Sequence, residues 1–172
     1  MNVSYEAGKE AVLMVSHVGI GDSVLLTKVS RFPVRDHFKP DVSPFAPIQI
    51  YYVSCEFKEA FLDIVEKEVS ADELLVWPLT QRIGHKDIFE RYAPVQPTSF
   101  AHINELLKLQ PNGEKGILLV NSSANIFYVD RKKGDCWTIW VRWWKGCGWF
   151  IRTCPATAPF VWSVGDQVLL PR

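Results

Sequence analysis

Residues 136–144 read Cys-Trp-Thr-Ile-Trp-Val-Arg-Trp-Trp, a run whose polar positions recur with period two. Laid out as a strand, Trp137, Ile139, Val141 and Trp143 share one face. Thr138, Trp140, Arg142 and Trp144 share the other. The first face is wholly apolar and requires a core. The second alternates indoles with a hydroxyl and a guanidinium. It requires either a further layer, built from loop residues such as Phe160 and Trp162, or a ligand.

The remaining pattern predicts strands and two main helices. Residues 11–16 and 23–29 read as strands around a Gly19-Ile20-Gly21-Asp22 turn. Residues 31–47 carry Pro33, Pro40, Pro44 and Pro47 and read as an ordered loop. Residues 48–54 form another strand. Phe57, Ala60, Phe61, Ile64 and Val65 fall on one helical stripe, so a helix is predicted over 56–69 with Ser54 as its N-cap. Residues 73–77 read as a short strand and 83–92 as a helical turn or two. A second helix is predicted after Thr98 or Ser99, ending at Asn112-Gly113.

From residue 116 onward the helical period disappears. Short strands at 117–120, 126–130, 136–144, 149–154 and 167–170 predict a five-stranded antiparallel meander, flat or curled into a small barrel. A three-residue loop in the turn after Trp144 would set Arg152 opposite Arg142, and a two-residue loop would shift that register. The expected fold class is α+β, as one domain over 1–172. The alternative is a split into a mixed part, 1–112, and a small antiparallel β part, 113–172.

Composition adds limits. The chain has 172 residues, 48% of them hydrophobic and 22% charged, which is ordinary for a globular protein. No apolar run approaches the roughly 20 residues of a membrane-spanning helix. The first ten residues lack the basic and apolar blocks of a secretory signal, so a cytoplasmic protein without membrane contact is expected. Cys55, Cys136, Cys147 and Cys154 contain no metal-ligand spacing, and reduced thiols are expected, although Cys136 and Cys154 could face each other across a hairpin. The formal charge is zero but unevenly spread. Residues 56–73 hold seven acids against two lysines, whereas residues 130–152 hold six basic residues against two acids. The basic stretch is also the tryptophan-rich one.

Candidate chemistry is sparse. Gly21-Asp22-Ser23 behind an apolar run resembles the nucleophile block of GDSL-type hydrolases. That resemblance implies Ser23 as nucleophile and an Asp-x-x-His block near the C-terminus. No histidine follows His102, so the base is missing and a strand-entering turn is the better reading. His17, His37, His85 and His102 are scattered, and a metal site is not expected. Cys55 precedes a helix, whose dipole favours a thiolate. The expected function is therefore non-enzymatic: a binding protein holding a protein partner on Trp140, Arg142, Trp144, Arg152 and Thr138, with no cofactor. Trp and Arg are the usual anchors of such contacts. The alternative is a carbohydrate- or single-stranded nucleic-acid-binding module on the same face. A third reading is a hydrolase-like enzyme around Ser23 or Cys55.

Overall fold

The computed structural model describes residues 15–17, 22–92, 94–132 and 134–172. The predicted strand residues 11–14 and the turn at 19–21 lie outside them, as does the side chain of His17. The elements in chain order are β1 (Val15–His17), β2 (Asp22–Leu26), β3 (Phe32–Pro33), α1 (Val34–His37), β4 (Ile50–Val53), α2 (Cys55–Phe61), β5 (Val65–Glu66) and β6 (Asp72–Pro78). There follow β7 (Ile83–Gly84), α3 (His85–Arg91), α4 (Phe100–Leu109), β8 (Asn125–Lys132), β9 (Asp135–Trp144), β10 (Gly148–Pro155), β11 (Val161–Trp162) and β12 (Gln167–Pro171).

One eight-stranded mixed sheet organises the fold, in the order β1-β2-β6-β12-β8-β9-β10-β4. β8, β9 and β10 form the expected antiparallel meander. The rest of the expected five-stranded unit is corrected. β12 leaves the meander and enters the middle of the sheet, antiparallel to β6 and parallel to β8. β11 pairs with β7 in a separate ribbon. No ladder among the described residues joins β1 to β4, so those residues form no closed barrel. It draws strands from both sides of residue 112.

The central strands are apolar on both faces, as a strand covered on both sides must be. Along β8, Phe127 and Val129 enter one core while Ile126 and Tyr128 enter the other. The first core packs α2 and α4 on the sheet through Phe57, Phe61, Phe100, Ile103 and Leu106. The second packs α3 and the β7–β11 ribbon through Ile83, Ile88 and Trp162. Each such fully buried side chain contributes roughly 1.5–3 kcal/mol.

Three local expectations change for identifiable reasons. The helix predicted to Val69 ends at Phe61, because Val65 and Glu66 pair with Pro33 and Phe32 instead. Glu66 then caps α4 from a distance: its carboxylate accepts from Phe100 N (2.8 Å) and Ala101 N (2.9 Å). Burial pushes the Glu66 carboxyl up, against the downward pull of those two donors.

The strand expected at 117–120 is an irregular, bent loop. Its Leu118 is gripped by the Gln110 side-chain amide, which accepts from Leu118 N (2.7 Å) and donates to Leu118 O (3.0 Å). The Asn125 amide holds Leu119 in the same way, at 2.7 and 3.1 Å. Two side chains thus satisfy the backbone where a neighbouring strand would. The proline-rich segment is more regular than expected, since it contains β3 and α1.

Candidate functional site

The tryptophan strand is β9. Its apolar face meets the helices as expected: Ile139 and Val141 are fully buried, and Trp137 lies edge-on to Phe61 at 5.5 Å. Trp143 lies edge-on to Trp149 at 5.4 Å, and Trp149 Nε1 donates to Gln110 O (2.9 Å).

The second face divides along its length. Its first half is covered. Thr138 is fully buried, and Trp140 is 9% exposed between Phe160 (5.5 Å) and Trp162 (5.4 Å). Thr138 is therefore corrected from a surface contact to an interior one, and its carbonyl accepts from Thr153 Oγ1 (2.7 Å). Trp140 belongs mainly to the second core and offers a ligand only an edge. The covering layer comes from the irregular segment before β11, which no periodicity announces.

The other half is open. Trp144 is 50% exposed, and its ring lies 5.0 Å from Phe150. β4, at the sheet edge, meets β10 through an irregularity between Trp149 and Phe150, so that Ile50 pairs with Trp149 but Tyr52 pairs with Phe150. The extra residue is Tyr51. A bulge of this kind turns two consecutive side chains toward one side, and both Tyr51 (5.0 Å) and Tyr52 (5.8 Å) approach Phe150. A continuous row of rings results: Trp144, Phe150 and the two tyrosines.

Two guanidiniums are set into this row. The turn after Trp144 does hold three residues, but the register puts Arg142 opposite Phe150 and Arg152 opposite Trp140. The expected face-to-face arginine pair is corrected to a diagonal one on the same face. Arg152 lies over the Tyr52 ring at 5.6 Å. Neither arginine has a carboxylate within ion-pair distance among the described residues. Arg142 Nε is covered and has no acceptor. Together with Trp140, Trp144, Phe150 and Phe160 they line a hollow of about 200 Å³.

On the far side of Phe160 lies a cleft of about 1010 Å³ between α3 and residues 155–161. His85 and Cys136 line it, and His85 joins the cleft to a buried cluster behind it that sequence spacing did not single out. His85 Nδ1 is in hydrogen-bond contact with the Tyr128 hydroxyl at 2.9 Å and with Thr138 Oγ1 at 3.4 Å. His85 Nε2 lies 3.9 Å from Cys154 Sγ. Burial lowers the His85 pKa to about 4 and pushes the Cys136 thiol up to about 11, with Asp130 and Asp135 adding to the latter. Burial raises Cys154 and Tyr128 as well. The cysteine–histidine contact is thus a neutral thiol beside a neutral imidazole, the opposite of the ion pair that activates a thiol nucleophile. The same-face placement of Cys136, Thr138 and Cys154 was implicit in the β9–β10 hairpin; the arrival of His85 from α3 was not.

The other candidates separate. Ser23 is buried, and its hydroxyl, after Arg172, helps hold the Glu73 carboxyl below its usual range. Cys55 is exposed at the start of α2, and all four cysteines are free thiols. His37 stacks on Phe32 at 4.2 Å, and His102 is buried in α4. No cluster of three metal-ligating side chains occurs among the described residues, and no helix there is long and apolar enough to cross a membrane. No protein-family model matches the chain, and no curated protein or solved structure is significantly similar to it.

Proposed function

We propose that the protein is a binding module that holds a protein partner at the open end of the β9–β10 face, with Arg142 and Arg152 receiving an acidic group of that partner. The observation that supports this reading is the pair of guanidiniums inside an aromatic-walled hollow of about 200 Å³, neither ion-paired among the described residues, with Glu56 reaching Arg152 only at longer range. Planar guanidinium donors match carboxylates bidentately, and the hollow is the size of one side chain. Trp144, Tyr51 and Tyr52 add exposed rings around it, the composition of an interaction hot spot. Trp140 and Thr138 lie beneath that contact as its support.

The spacing of the rings favours a protein over nucleobases. Trp144 and Tyr51 each lie tilted against Phe150 with centroids 5.0 Å away, which leaves no slot for a base between them. A photo-crosslinking residue at position 144 tests the proposal in cells. The expected result is a discrete protein adduct that disappears with Arg142→Gln/Arg152→Gln and persists with Arg131→Gln. An adduct indifferent to the arginine pair, or one made to RNA, sinks it.

A further inference from the structure

The apolar cleft beside the arginine hollow calls for an occupant of its own. Its walls are carbon: Phe89, Pro155, Ala156, Ala158, Phe160 and Val161. At about 1010 Å³ it lies at the upper end of small-molecule sites. The polar groups on its floor carry no charge at neutral pH, since His85 stays unprotonated and Cys136 stays a thiol. The charges on its rim are already matched. Lys86 reaches Glu90 at 3.7 Å, and Asp135 reaches Arg131 at 3.9 Å. Nothing inside the cleft therefore recognises an ion. Two guanidiniums that make no ion pair among the described residues stand just across Phe160, which lines both cavities and is 37% exposed; Glu56 acts on Arg152 only at longer range.

We infer that the two cavities form one site for an amphipathic monocarboxylic acid, its hydrocarbon body in the cleft and its carboxylate between Arg142 and Arg152. Charge complementarity selects this class. A neutral hydrocarbon leaves the guanidiniums without an ion-paired anion, and a cationic amphiphile meets them with repulsion. A small dianion fills the hollow but leaves the cleft to water. Phe160 is the ridge over which such a ligand bends, and its ring gives the first methylenes an apolar surface. The inference rests on the preceding proposal in one respect, that the two arginines are free to take an acid group. It adds that a monomeric lipid-like acid competes with the partner for that position.

Calorimetric titration with decanoate, decanol and decyltrimethylammonium, each below its micellar concentration, tests the assignment. Decanoate is expected to bind once per chain, about tenfold or more tighter than decanol, with no binding of the ammonium. Arg142→Gln/Arg152→Gln should bring decanoate down to the affinity of decanol and leave decanol unchanged. Ala158→Trp, at a half-buried position in the turn after β10 where a folded variant is readily checked by its melting curve, should abolish both. Equal binding of decanoate and decanol to the wild type overturns the inference, and so does decanoate affinity that survives Ala158→Trp. An arginine-dependent adduct at position 144 together with no decanoate binding leaves the partner proposal standing and removes this one. Decanoate binding without any such adduct does the reverse.

Discussion

The Trp143 indole occupies the place where a side chain on Gly113 would begin. Gly113 sits just beyond the end of α4 with φ +70°, and an ideal Cβ built on it collides with Cε2, Cδ2 and Nε1 of the five-membered part of the ring. The conformation and the space both demand glycine. Gly113→Ala is therefore expected to cost roughly 3 kcal/mol or more, combining positive-φ strain with displacement of an indole from a close-packed core. Urea denaturation measures it. A loss well under 1 kcal/mol would mean that the turn and Trp143 move apart freely.

His85 makes the fold acid-sensitive. Its pKa is about 4 in the folded chain against an ordinary value of 6.5. Between those values the unfolded chain binds the extra proton, so stability is complete above pH 6.5 and falls as the pH drops toward 4. At about pH 4.5 the His85 contribution to the loss is roughly 2 kcal/mol relative to neutral pH. Burial lowers the pKa of His102 too, which acts in the same direction. The wild type should thus lose more stability on acidification than His85→Gln, by about that amount. Parallel pH profiles of the two proteins would contradict the burial of His85.

The two halves of the β9 polar face should respond oppositely to the same change. Trp144→Phe is expected to remove the most readily quenched fluorescence at a cost of no more than about 0.5 kcal/mol, as for an exposed surface residue. Trp140→Phe should leave acrylamide quenching nearly unchanged while lowering stability by about 1–3 kcal/mol, because its ring is packed between Phe160 and Trp162. A quenchable Trp140 would place the covering segment elsewhere.

Glu66 closes the N-terminus of α4, whose first turn holds no acidic residue of its own. Glu66→Ala leaves two buried-end amide donors without an acceptor and is expected to cost about 1–2 kcal/mol, with helix-specific loss of amide protection in hydrogen exchange at residues 100–102. An unchanged exchange rate there would assign the cap to solvent.

The elements that were readable from sequence are those whose cause is local. Ser99 caps α4, its hydroxyl accepting from His102 N at 3.1 Å, and Ser54 caps α2 in the same manner. The period-two alternation of β8, β9 and β10 identifies both faces of the meander, since it depends on chain geometry alone. What escaped is long-range. The periodicity of residues 56–69 continues past the end of α2, yet Val65 and Glu66 are taken by β3, and Glu66 by a helix more than thirty residues on. The amide side chains of Gln110 and Asn125 imitate a strand partner, which no propensity encodes. The site divides likewise. Arg142, Arg152 and Trp144 were visible as one basic aromatic face, and Phe160 and Trp162 as a candidate cover; that they close only over the Thr138 and Trp140 half depends on how the chain folds back. The placement of His85 against Cys154 depends on where α3 docks.

The position of β12 carries a consequence for how the chain comes into being. Residues 167–171 are synthesised after both strands they separate, and four of the five are buried. Until that segment leaves the ribosome, β6 and β8 each present a bare, apolar edge with nothing to bridge them. The two halves of the sheet stay unjoined until residues 167–171 arrive between them. Nascent chains stalled before residue 167 should therefore stay protease-sensitive and depend on chaperones, and release of a few further residues should convert them abruptly into a resistant form.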